Sequence, residues 1–209
     1  MDRILTYTIT PQEDGMQVLE FLRSKGFSRH ILTSMKPDKE ALLVNGMRAG
    51  GRSILKEGGH FRVRVMETGS MEGIVPAPLP LDILYEDEDI LVLNKPADMP
   101  VHPSIGNYTN TLANAAAFYF QQKNELCPFR CINRLDRDTT GLLILAKHML
   151  SGAILSDQMN KRAIHRTYLA ITEGKTDPAG TIDSPIGRTD QSLILRQVDH
   201  ENGDSACTH

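Results

Sequence analysis

The chain has 209 residues, 40% hydrophobic and 23% charged, with a net charge of −3. That balance excludes a disordered chain, and no apolar run approaches the ~20 residues that a membrane helix needs. The start, MDRILTYTIT, lacks the basic head and long apolar stretch of a secretory signal, so a cytoplasmic location and no membrane contact are expected.

Three cysteines, Cys127, Cys131 and Cys207, are too few for a disulfide framework. Their spacing, even with His200 and His209 nearby, lacks the tight pairs of a zinc site, so no metal is expected. Charge is unevenly spread. Residues 1–66 carry eleven Lys and Arg against seven Asp and Glu, a balance of +4, and residues 67–209 carry −7. A basic front section beside an acidic remainder points to contact with a polyanion, with chance asymmetry on solvated faces as the alternative.

In chain order, Thr10 to Asp14 predicts a helix start, followed by Met16, Val18, Leu19 and Leu22 at helical spacing and Gly26 as a stop. Ser28 is the candidate N-cap of a second helix holding Ile31, Leu32 and Met35, with Pro37 ending it. Leu42 to Val44 predicts a strand and Asn45-Gly46 a tight turn. In FRVRV, strict alternation buries Phe61, Val63 and Val65 on one face. Residues 67–80 are rich in Gly and Pro and read as a linker.

Strands are then predicted over 82–85 and 90–94, around the acidic run Glu86 to Asp89. That run reads as a solvated turn rather than a metal site. An amphipathic helix is predicted over 111–122 and a buried strand over 142–146. Before that strand lies Asn133-Arg134-Leu135-Asp136-Arg137-Asp138-Thr139-Thr140-Gly141. A carboxylate at a loop–strand junction is held by a rigid element yet stays accessible, which suits a reacting group. A salt-bridged turn is the alternative, since Arg134 and Arg137 flank Asp136.

R-L-D-x-x-T-T-G with its apolar strand and Ala146-Lys147 resembles the signature of the RluA-type pseudouridine synthases. In order with it stand Asn94-Lys95-Pro96 through Val101-His102-Pro103, then Thr111-Leu112 with Asn114, then Arg166 to Ala170. Residues 1–66, with two helices, V-N-G and a closing strand, resemble an alpha-L RNA-binding domain. Two departures from the pattern stand out. Asn133 replaces the family's usual His before R-L-D, and no G-R-x-H-Q-I-R segment follows, so the catalytic domain is expected to be incomplete at its C-terminus.

The resemblance implies an α+β fold: a mixed, largely antiparallel sheet over 81–209, behind a small α+β RNA-binding domain over 1–66 and a linker over 67–80. It implies isomerisation of uridine to pseudouridine in structured RNA, ribosomal RNA first and transfer RNA second, by a monomer without cofactor. The alternative is a non-catalytic RNA-binding fragment of the family. Asp136 is the implied catalytic carboxylate. Tyr168 would lie against the uracil, and Arg134 would hold the flipped nucleotide. Arg137, Thr139, Arg29 and Lys36 are further expected RNA contacts, Lys95 and Lys147 are read as touching phosphate or solvent, and His102 as a structural loop residue.

Overall fold

A computed structural model describes residues 2–67, 69, 71–125, 127–189 and 192–209, with backbone only at 192–194. Thr68 and Ser70 of the expected linker lie outside the described residues. The chain forms two compact units, Met1–His165 and Arg166–His209.

The first unit opens with β1 (Asp2–Thr8), a short 3-10 turn (Pro11–Glu13), α1 (Val18–Ser24) and α2 (Arg29–Ser34). Then come β2 (Leu42–Val44), β3 (Met47–Arg48) and β4 (His60–Met66), and these four strands make an antiparallel sheet in the order β1-β4-β2-β3. Thr10 and Glu13 cap the 3-10 turn reciprocally, so the helix expected from Thr10 onward is split. Gly15 (φ +79) breaks it, and tertiary bonds take the next donors: Gly15 N to Leu55 O, 3.0 Å, and Val18 N to Ser53 O, 2.9 Å. Ser28 Oγ accepts from Ile31 N at 3.3 Å and so caps α2, as its sequence signal predicts. Asn45 (φ 51) and Gly46 (φ 78) turn β2 into β3 in the left-handed region that this dipeptide supplies.

Strand β4 buries Phe61, Val63 and Val65 as its alternation predicts. Strand β1 escaped the sequence reading because its alternation is inverted: Arg3, Leu5 and Tyr7 face inward while Ile4 points out. The core beneath this sheet gathers Val18, Phe21, Leu22, Ile31, Leu55 and Phe61. Phe21 meets Tyr7 and Phe61 edge-on, at centroid distances of 5.1 and 5.6 Å. The same core includes Met149 and Leu150.

The second half of the unit holds β5 (Asp82–Glu86), β6 (Ile90–Lys95), α3 (Leu112–Gln122), β7 (Gly141–Ala146) and α4 (Met149–Asn160). Strands β5-β6-β7 form an antiparallel sheet, with Ile90 opposite Ala146 and Lys95 opposite Gly141 at the two ends of the β6–β7 ladder. Its core joins Leu91, Leu93, Leu143 and Leu145 to Leu112, Ala116 and Phe120 of α3. Residues 71–80 have no regular structure but are tied to α3: Asn114 Nδ2 donates to Val75 O at 2.7 Å, and Ala77 N donates to Asn114 O at 3.1 Å.

The acidic run is a structural hub, which corrects its reading as a solvated turn. Glu86 accepts from Lys123 and Lys147, both at 2.7 Å, and from the Tyr119 hydroxyl. Asp87 caps the backbone N–H groups of Asp89 and Ile90. Asp89 joins Arg3 Nε of β1 at 2.7 Å to His148 Nε2 at 2.6 Å. Nearby, the fully buried side chain of Glu67 accepts both Arg130 Nη atoms, at 2.7 and 2.8 Å, and Met149 N at 3.0 Å.

In the second unit, β8 (Ile182–Asp183) pairs with β11 (Cys207–Thr208), and β9 (Ile186–Thr189) with β10 (Ser192–Val198), both antiparallel. Asp199 Oδ1 accepts from Glu201 N and Asn202 N at 3.0 Å, turning the chain after β10. Among the described residues, no helix is long and apolar enough to cross a membrane.

Burial works against the charged form of Glu86, but bonds from Lys123, Lys147 and Tyr119 outweigh it and hold the pKa at about 2. Glu67 and Asp89 are lowered in the same way, by Arg130 and by His148 with Arg3. A carboxylate depressed in the folded state contributes stability that is present above its unfolded pKa of roughly 4 and is lost as pH falls toward the folded value. The melting temperature should therefore hold steady down to about pH 4.5 and fall from there toward pH 2. Glu86→Gln should lower the plateau and flatten the acid limb, as read by circular-dichroism melts across pH.

Candidate active site

The R-L-D loop is held from both sides of β7. Residues 130–132 run along the free edge of that strand, with Ala146 N donating to Arg130 O at 2.9 Å and Ile132 N to Ile144 O at 2.8 Å. The next residue ends the ladder with its side chain. Asn133 Oδ1 accepts from Ile144 N at 3.0 Å, and its Nδ2 donates to Leu142 O at 2.9 Å. An amide carries one acceptor and two donors, so it serves both backbone groups at once. Asn133 thus closes the sheet edge, which gives the departure from the usual His a structural task.

Beyond Asn133 burial alternates along the chain. Leu135 is buried among Leu91, Leu93, Leu143 and Leu145, while Arg134 and Asp136 are exposed on either side of it. With Leu135 anchored in the core, Arg134 and Asp136 on either side of it are left to solvent. Thr139 N then donates to Asp136 O at 3.2 Å, folding residues 136–139 into a turn with Thr139 half-buried. Gly141, at φ +119, begins β7 in a conformation that a side chain would strain.

Lys95 fixes this turn from beneath. Its side chain is 0% exposed, and Nζ donates to three backbone carbonyls: Pro96 at 2.8 Å, Met99 at 2.9 Å and Arg137 at 2.8 Å. An ammonium has three donors, and all are used. Burial holds its pKa below the usual lysine value, and the Asp138 and Asp136 carboxylates offset only part of that effect. Lys95 therefore touches neither phosphate nor solvent, contrary to the expectation. Lys147 is likewise buried, between Glu86 and Glu125. The asparagine–lysine–proline segment was visible in the sequence, but which way its lysine points depends on its place as the last residue of β6.

Around this clamp, Met99 N donates to Arg137 O at 3.3 Å, and the Arg137 guanidinium pairs with Asp98, Nε to Oδ1 at 2.7 Å. Both partners are exposed, so the pair contributes little to stability and leaves Arg137 free to exchange it. His102 lies edge-on to Phe129 at 5.1 Å, and partial burial together with the Arg134 charge lowers its pKa. Asp136, Arg134, Arg137, Thr139 and His102 thus lie near one another on the first unit. Arg29, the first residue of α2, and Lys36, just past its end, are exposed on the sheet-bearing front section. Tyr168 belongs to the second unit and is 56% exposed.

The family model described as RNA pseudouridylate synthase matches residues 89–209. An uncharacterized RNA pseudouridine synthase, YhcT, of Bacillus subtilis is 36% identical over 214 residues, spanning 99% of this chain and 68% of that protein. Ribosomal large subunit pseudouridine synthase D of Escherichia coli O157:H7 is 40% identical over 207 residues, spanning 98% of this chain and 63% of that one. A solved structure, human RNA Pseudouridylate Synthase Domain Containing 1, overlaps 68% of this chain and 53% of its own, at 26% identity and a TM-score of 0.48. The chain thus spans about two thirds of the length of these two bacterial relatives and about half of the human structure.

Replacing Lys95 by Met keeps the apolar stem and strips three carbonyls of their donor. Unsatisfied buried acceptors cost roughly 1–3 kcal/mol each, and partial solvent access at Pro96 and Arg137 reduces the sum. Lys95→Met should lose about 2–4 kcal/mol of unfolding free energy in urea titrations. A wild-type midpoint would show that the clamp carries no stability.

Proposed function

The chain belongs to the RNA pseudouridylate synthase family, and on that premise we propose that it isomerises uridine to pseudouridine in structured RNA, with Asp136 as the catalytic carboxylate. The observation that carries the reading is the exposed, outward-facing pair Arg134 and Asp136 on a loop pinned by Lys95 and Asn133, inside the matched region. A reacting carboxylate must be accessible and yet rigidly held, and this loop meets both needs.

The reaction breaks the glycosidic bond from C1′ to N1, turns the uracil, and joins C1′ to C5. The proton on C5 is lost and N1 gains one, so no redox partner is required. Asp136 engages the sugar or the base as the glycosidic bond opens. A stacked base is out of reach, so the target nucleotide is extruded at a cost of a few kcal/mol. Arg134 fills the vacated space and holds the flipped nucleotide's phosphate, with Arg137 and Thr139 as further backbone contacts. Tyr168 is the aromatic residue that the family resemblance assigns to the uracil. The division into an RNA-binding module at 1–66, a linker at 67–80 and a catalytic domain at 81–209 goes with this reading, as do a monomeric state and a cytoplasmic location. Ribosomal RNA is the proposed substrate, supported by the relatives that carry ribosomal large subunit names.

Asp136→Asn is nearly isosteric and the residue is exposed, so folding and RNA affinity should persist while turnover disappears. Tritium release from RNA labelled at uridine C5 measures this, and wild-type release by the variant would remove Asp136 from the chemistry. Arg29→Ala with Lys36→Ala should weaken RNA binding at every sequence. Each lost phosphate contact lowers the slope of log affinity against log salt by roughly 0.7–0.9. An unchanged slope would place the RNA elsewhere.

A further inference from the structure

The loop between β6 and α3 has a rigid base beside the site and an exposed tip that the chemistry above does not use. At the base, Met99 is bonded to Arg137 through its N–H and to Lys95 through its carbonyl. Pro100 O and Val101 O accept from Leu112 N and Ala113 N, at 2.9 and 3.1 Å. The fully buried Asn114 returns from α3 to bond Tyr108 O at 3.0 Å. Between these anchors, Ser104 and Asn107 exchange both backbone hydrogen bonds, at 3.1 and 2.8 Å, which leaves Ile105 and Gly106 at the apex of a two-residue turn. Gly106, at φ +82, supplies the left-handed residue that this turn needs.

The tip carries the wrong residues for a solvated turn. Ile105 is 93% exposed and Tyr108 65% exposed. A single exposed apolar residue is ordinary. Here an isoleucine and a tyrosine stand together on a loop anchored at both ends, one of them against the R-L-D turn. The chain tether keeps them close: Ile105 is three residues from His102, a span of at most about 11 Å. His102 itself lies near enough to Arg134 to sense its charge.

We propose that this loop is an RNA-contact element, in which Tyr108 stacks on a nucleobase flanking the target uridine and Ile105 packs against the neighbouring base step. The inference rests on the isomerase reading and adds to it a residue-level contact outside the signature segments. Extruding a nucleotide leaves its neighbours unstacked, and an aromatic ring with an apolar wedge replaces the lost stacking. The tip itself, Ser104 to Tyr108, carries no charged side chain, so its contact is with bases rather than phosphates. Any base offers a stacking face, and the contact therefore widens the range of accepted flanking sequences rather than narrowing it.

The test uses the full chain and a stem–loop RNA whose loop uridine is flanked by 2-aminopurine. Stacking changes the emission of that base, and loss of one stacked base weakens binding on the order of 5- to 150-fold. Tyr108→Ala should weaken binding within that range, abolish the emission change, raise KM and leave kcat little altered. Tyr108→Phe should restore the wild-type values, and Ile105→Ser should give a smaller loss. Melting curves should not move, since both side chains are exposed. Wild-type affinity and emission change in Tyr108→Ala and Ile105→Ser would overturn the proposal, and would leave the tip to a protein partner. That result is separable from failure of the isomerase reading, in which the wild-type chain itself releases no tritium from any RNA.

Discussion

The site depends on one buried ammonium. Moving a charge out of water is costly, and Lys95 offsets the cost only because three carbonyls converge on it and two carboxylates, Asp136 and Asp138, lie close enough to favour its charge. Those carbonyls come from two separate stretches of chain, 96–99 and 137. The requirement that every buried donor find an acceptor therefore fixes one loop against the other. The end of β6 becomes a peg, and the turn after R-L-D is hung on it. Among the described residues no hydrogen bond is made to the Asp136 carboxylate, which leaves it open to a ligand.

Leu135 supplies the second constraint. Its burial beneath the sheet decides which way its neighbours face, and Asn133 decides where the ladder stops. A sheet edge, a core leucine and a lysine peg define three points of the loop, enough to hold a backbone in one arrangement. Precision at the carboxylate is thus inherited from ordinary packing and hydrogen bonding several residues away.

Legibility in the sequence followed the strength of local signals. Strand β4, the Asn45-Gly46 turn, the Ser28 cap and helix α3 were readable because each rests on neighbours in the chain: strict alternation, a left-handed dipeptide, a capping hydroxyl and a helical repeat. R-L-D was readable as a motif, and the structure leaves its Arg134 and Asp136 exposed. What escaped was decided across space. Strand β1 puts Arg3 inward because Asp89 waits there, and the acidic run became a set of ion pairs only because Arg3, Lys123 and the adjacent Lys147 and His148 are brought to it from three elsewhere-encoded segments. Lys95 and Lys147 look like surface lysines in any window of sequence, and only the fold encloses them.

The hydrophobic cluster under the first sheet has a consequence for how the molecule comes apart. Met149 and Leu150 of α4 sit in the same cluster as Phe21, Ile31 and Phe61, and Gly26 presses so closely on Ile154 that a Cβ there would fall 2.6 Å from its Cγ1. The two sheets of the first unit are therefore not independent foldons. Opening the front sheet uncovers Met149 and Leu150 of the helix that follows β7, so amide protons of the front sheet and of the first turn of α4 are expected to exchange through a shared sub-global event. Where many modular RNA-binding chains behave as beads on a string, the front core of this chain is closed in part by a helix encoded more than a hundred residues later.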